Sequence, residues 1–200
     1  MKESSMKLSD KIFKKRRLSD YLMYTAVIIG GIILDQITKI LAEVFLKSNG
    51  TFPIIKNALH LTYVENRGAA FGMLADSRWL FMVVSVVAIL VFGAYLYLGH
   101  AESTLSAVAL AMMTSGGIGN MIDRIFRGYV IDFIDFRLIN FAVFNGADSL
   151  VCVGAGLLIL SLLLGLRTDG VNRQSKDNGN GGNNNGADGD DTADHGDGDI

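Results

Sequence analysis

Gly116 to Asp148, GGIGNMIDRIFRGYVIDFIDFRLINFAVFNGAD, sets the problem this chain poses. Apolar runs lie on both sides of the stretch, yet it carries Asn120, Asp123, Arg124, Asp132, Asn145 and Asp148. Beside hydrocarbon each such group must find a partner or stay wet, so keeping so many there points to chemistry rather than to packing.

Working outward, the flanking runs read as membrane spans. The third span is expected over Ser103 to Ile122 and the fourth over Ser149 to Leu166, with a second over Trp79 to Leu98 and a first over Tyr21 to Leu41. Each is close to the ~20 residues that cross a bilayer core. A hydrophobic content of 50%, a charged content of 19% and a mean hydropathy of +0.35 agree, since a soluble domain is nearer ~25% charged. The organisation expected is a basic leader over 1–20, a membrane domain over 21–167 and a Gly/Asn/Asp-rich tail over 168–200, too poor in apolar residues to fold on its own. Asp35, Gln36 and Lys39 interrupt the first apolar run, which reads as a retained span and not as a cleaved signal peptide.

Four spans leave both termini on one side. Lys11, Lys14, Lys15, Arg16 and Arg17 before the first span, with Arg167, Arg173 and Lys176 after the fourth, assign that side to the cytoplasm. Both long connections, 42 to 78 and 123 to 148, are then external. Ile54 to Glu65 mixes β-branched and aromatic residues in short alternation, which predicts strands, and Phe141 to Phe144 is a candidate for one more. The fold class expected is an all-α polytopic membrane protein of four transmembrane helices with a small extracytoplasmic sheet.

Some features carry no function. Basic residues confined to a leader do not make a nucleic-acid surface. A single cysteine, Cys152, excludes an internal disulfide framework and reads as packing within its span. Gly196-Asp197-Gly198-Asp199 matches the G-x-G-D signature of presenilin-type proteases, but no spanning helix surrounds it. Asp188, Asp190 and Asp191 lack the closing Glu of a calcium loop.

The remaining polar residues form constellations. Asp35 and Lys39 share a helix face at four-residue spacing, Glu43 continues that stripe, and the cost of burying an aspartate in a span favours a role inside the bundle. Asn66 precedes small residues that allow a substrate backbone to approach closely. Gly116, Gly117 and Gly119 suit tight helix contact, and Asn120 and Arg124 point the same way if the helix continues. Asp123 beside Arg124 reads as a local ion pair of small worth. Asp132 in the outer connection and Asp148 at the start of a span are the candidate catalytic pair. Two carboxylates in one site cannot both ionise easily, so the pair holds one proton, drawing one from water and donating one to a carbonyl oxygen. Asp135 rivals Asp132 on this reasoning. The chain has no H-E-x-x-H helix and no G-x-S-x-G elbow, and neither a metal nor another cofactor is expected. A transporter or proton conduit is the alternative reading, and it predicts polar residues through the depth of several spans.

DQITK at Asp35 to Lys39, NRGAAFG at Asn66 to Gly72, GGIGNMIDR at Gly116 to Arg124, VIDF at Val130 to Phe133 and FNGADS at Phe144 to Ser149 occur in an order that resembles the bacterial lipoprotein signal peptidases, or signal peptidase II. The resemblance covers Tyr21 to Leu166. It implies an aspartyl endopeptidase of the cytoplasmic membrane, with four helices, a β-cradle outside, and diacylglyceryl-modified prolipoprotein as substrate, cut before the lipidated cysteine. The dyad it implies is Asp132 and Asp148, supported by Asp35, Lys39, Asn66, Gly116, Asn120, Arg124, Asn145 and Ala147. Gly146 departs from the bulkier apolar residue usual there. Membrane lipids and the precursor are the partners expected of a monomer.

Overall fold

The computed structural model describes residues 17–68 and 78–180, with the side chains of 79–166 among the latter. Contacts divide the chain into two units after Leu162: the first holds the sheet and the helix bundle, and the second contains the continuing backbone of the last helix. The helices are α1 (Leu18–Leu46), α2 (Arg78–Tyr97), α3 (Thr104–Phe126) and α4 (Gly146–Asn180). Strands β1 (Thr51–Ile55), β2 (Leu59–Asn66) and β3 (Val130–Phe136) form one antiparallel sheet in the order β1-β2-β3.

All four helices are long and apolar enough to cross a membrane, and the protein is a multi-pass membrane protein with a small sheet at one end of its bundle. Several helices outrun the expected spans. At its start α1 is anchored by Arg17 N–H donating to Asp20 Oδ2 at 3.1 Å, and the turn after its end at Leu46 closes at Gly50, whose φ of +78° suits glycine and whose N–H meets Leu46 O at 2.9 Å. The backbone of α4 is helical to Asn180, past Thr168 where the tail was expected to begin, and residues 181–200 lie outside the described residues.

Helix contacts follow the small residues. A Cβ on Gly116 would strike the Ala147 carbonyl, and one on Gly119 would sit 2.5 Å from Asp35 Oδ2, so these two glycines let α3 approach both α4 and α1. Tyr24, Ile28, Leu96, Ala107, Leu110 and Ala111 form the core away from the sheet. At the sheet end Ala42, Leu46 and Ile131 pack with Leu61, Tyr63, Tyr129 and Phe133, seating the sheet against α1. α2 leaves Val83, Val87 and Leu90 exposed, and α4 leaves Val153, Ile159 and Leu162, as lipid-facing surfaces do.

The strands expected over Ile54 to Glu65 form a hairpin, turning at Lys56–Ala58 where Asn57 adopts a positive φ of 63°. Phe141 to Phe144 contributes only an isolated bridge from Phe144 to Ile134. β3 was not anticipated as a strand. Its register against β2 slips between Leu61 and Val64, where β2 carries one extra residue and β3 keeps its alternation.

Candidate active site

The start of α4 builds the first half of the site. Asn145 precedes the helix and caps it: its Oδ1 accepts from Asp148 N–H at 2.9 Å while Asp148 Oδ2 accepts from Asn145 N–H at 3.3 Å. This reciprocal pair is a capping box with Asp in the Glu position, so the local rule that starts the helix also fixes the Asp148 carboxylate. The other Asp148 oxygen, Oδ1, accepts from Asn120 Nδ2 at 2.7 Å.

The second half comes from β3. Asp132 Oδ1 accepts from Asn145 Nδ2 at 2.6 Å and Oδ2 from Asn66 Nδ2 at 2.8 Å. One asparagine therefore touches both aspartates, by side chain and by backbone. Both carboxylates line a cavity of about 370 Å³, walled further by Asn66, Arg124, Phe141, Phe144 and Cys152. Burial, then the neighbouring charge of Asp148, pushes Asp132 up to about 6, against the hydrogen bonds from Asn66 and Asn145.

Asp135, three residues on, faces the other way, since side chains alternate along a strand. It accepts from Thr62 Oγ1 and Arg137 Nε, each at 2.8 Å. Against a cost of partial burial, these bonds and the Arg137 charge hold its carboxyl below the usual range.

Beneath the amides lies a charged layer. Lys39 Nζ, fully buried, is 2.9 Å from Asp35 Oδ2, 3.0 Å from Asp123 Oδ2 and 2.9 Å from Asn120 Oδ1. Asp35 Oδ1 accepts from Ala147 N–H at 2.8 Å, tying α1 to the first turn of α4. The Asp35–Lys39 pair is thus interior and not a snorkelling surface pair. Glu43 pairs with Arg127 and Lys47.

All ten expected site residues converge. Asp132, Asp148, Asn66, Asn120, Asn145 and Arg124 surround the cavity or hold its carboxylates, while Asp35, Lys39, Gly116 and Ala147 lie below. Two expectations are corrected. Asp123 pairs with Lys39 and Arg127 and not with Arg124, because adjacent helical residues diverge whereas residues four apart do not. Cys152 is exposed and not packed, one turn beyond Asp148 on the cavity wall. Gln36, read only as an interruption of the first span, was not among the expected site residues: its Nε2 reaches Asp35 Oδ2 at 3.2 Å, Gly119 O at 3.2 Å and Asp123 Oδ1 at 3.4 Å. Its place beside Asp35 in the DQITK motif was the available signal. Among the described residues no three His, Cys, Asp or Glu side chains gather as a metal site.

Comparisons agree with this architecture. The lipoprotein signal peptidase of Caldanaerobacter subterraneus subsp. tengcongensis is 48% identical over 136 residues, covering 68% of this chain and 92% of that protein. That of Halothermothrix orenii is 46% identical over 141 residues, covering 70% and 94%. A bacterial membrane enzyme solved in meso at 2.3 Å resolution superposes with a TM-score of 0.65 at 30% identity, over 70% of this chain and 87% of that one. The model of the signal peptidase (SPase) II family matches residues 27–164, and with those relatives it establishes that the chain belongs to that family.

Proposed function

We propose that this membrane peptidase is an aspartyl endopeptidase that removes signal peptides from diacylglyceryl-modified prolipoproteins, cutting before the lipidated cysteine, with Asp132 and Asp148 as its dyad. The observation that carries the reading is Asn145, buried and bonded to both of the aspartates that line one cavity.

Asp132, whose acid form burial favours, is the proton donor, and Asp148 is the base. Water attacks the scissile carbonyl carbon as one of its protons passes to Asp148, and Asp132 gives its proton to the carbonyl oxygen. The tetrahedral diol then collapses: a hydroxyl proton returns to Asp132, the C–N bond breaks, and Asp148 delivers its proton to the leaving nitrogen. The dyad ends as it began. Asn66, Asn120 and Asn145 hold the carboxylates in register, which lowers the reorganisation needed at the moment of reaction. Arg124, beside the cavity with its guanidinium 5.5 Å from the centre of the Phe81 ring, orients the peptide. Asp35, Lys39, Gly116 and Ala147 hold α1, α3 and the start of α4 together beneath them.

In this reading the enzyme works as a monomer in the cytoplasmic membrane, termini inside and the sheet end outside, where acyl chains stay in hydrocarbon while the peptide bond meets water. The test is cleavage of a diacylglyceryl prolipoprotein beside its unlipidated twin. Cleavage of the lipidated form only, lost in Asp132→Asn and in Asp148→Asn, is expected. Equal cleavage of both twins overturns the substrate class, and full activity in either variant overturns the dyad.

A further inference from the structure

Asp123 lines neither the cavity nor the surface. It is fully buried, yet its carboxylate is bonded from three sides. Oδ2 accepts from the Ile131 backbone N–H at 3.2 Å and sits 3.0 Å from Lys39 Nζ. Oδ1 accepts from Gln36 Nε2 at 3.4 Å and lies 3.6 Å from Arg127 Nε. One side chain thus joins α1, the end of α3 and β3.

Two of those bonds lead to the dyad. Ile131 immediately precedes Asp132, and beyond Asp132 the N–H groups of Phe133 and Ile134 meet Phe144 O at 3.0 and 2.8 Å. The free edge of β3 is therefore held on both sides of Asp132, by Asp123 before it and by Phe144 after it. The second route runs through Lys39, whose three ammonium protons match three acceptors: Asp35, Asp123 and Asn120. An ammonium only donates, so it draws the oxygen end of the Asn120 amide toward itself and turns the NH2 end to Asp148. Without Asp123 the ammonium loses one of the two carboxylates that set its position.

We propose that Asp123 is a positioning residue for both halves of the dyad, acting on Asp132 through the Ile131 backbone and on Asp148 through Lys39 and Asn120. The proposal rests on the dyad reading above. The full chain in lipid nanodiscs, turning over a diacylglyceryl prolipoprotein, tests it. Asp123→Asn keeps an acceptor for Ile131 N–H but loses the charge that holds Lys39, so kcat should fall about 10- to 100-fold, as sub-ångström misplacement does, with KM within about twofold. Asp123→Leu loses both bonds and should fall further.

A folded Asp123→Asn with unchanged kcat, or with a raised KM and unchanged kcat, overturns the proposal. Should that variant not fold, Arg127→Met, which frees one Asp123 oxygen from a partly exposed partner, should lower kcat by about threefold at constant KM. Unchanged kcat there also overturns it. Asp132→Asn runs in parallel: wild-type turnover in that variant removes the dyad itself, whereas an inactive Asp132→Asn beside an intact Asp123→Asn removes only the positioning role.

Discussion

Two pairs of carboxylates lie a few side chains apart in this protein, and their surroundings differ in kind. Asp35 and Asp123 are buried against Lys39, with Arg127 at the outer side of Asp123, so two negative charges meet two positive ones. Asp132 and Asp148 are held by the neutral amides of Asn66, Asn120 and Asn145 and open onto a cavity. The Lys39 ammonium and the Arg127 guanidinium neutralise the first pair, which is buried away from the cavity. Amides fix the second pair without cancelling its charge, which leaves a proton free to be shared. On the proposed mechanism the difference separates carboxylates that hold the bundle from carboxylates that exchange protons with substrate.

The largest effect should come from the amide-held pair. Asp132→Asn and Asp148→Asn should each lower prolipoprotein cleavage by about 10³-fold or more while leaving the melting temperature near that of the parent, because the amide keeps the shape and loses the proton chemistry. Comparable activity would erase the contrast drawn here.

The charge-held pair should respond in the other coordinate. Lys39→Ala strands two buried carboxylates, and breaking such a cluster costs about 3–5 kcal/mol, so thermal unfolding should show a greater loss than in either dyad variant and cleavage a smaller one. A stable Lys39→Ala as inactive as Asp132→Asn would move the lysine into the chemistry.

A pH profile sharpens the comparison further. On the proposed mechanism the dyad carries one proton, and burial pushes Asp132 up to about 6, so cleavage should decline as pH rises through that range and the proton is lost. The Asn66 hydrogen bond favours the charged form of Asp132. Asn66→Ala should therefore move the descending limb to higher pH, with a roughly tenfold loss of kcat for one hydrogen bond to a charged group. A shift to lower pH would contradict the geometry.

The smallest effect belongs to Asp135, on the same strand but the opposite face. Asp135→Asn should leave kcat within about twofold and cost less than about 1 kcal/mol in thermal unfolding, since its Arg137 partner is largely exposed.

Much of this was legible in the sequence because the decisive signals are local. Spans announce themselves by length and composition, and Asp35–Lys39 and Asn120–Arg124 declare a shared face by spacing. The capping box at Asn145 and Asp148 is equally local, but it went unread because the fourth span was expected to start at Ser149. β3 was missed because VIDFIDF sets its two aspartates three apart, off the two-residue period of a strand, and the bulge against β2 is a long-range feature. The same parity separates Asp132 from Asp135, a choice that composition and spacing had left open. Asp123 was misread because its partners, Lys39 and the Ile131 N–H, come from other elements, and no window along the chain contains them all.

The capping pair at Asn145 has a consequence for biogenesis. The residue that starts the last helix also bridges the two aspartates, so a chain still threading into the bilayer has its acidic residues apart and nothing to align them. On the proposed mechanism, hydrolytic competence then arrives together with the seating of that final segment.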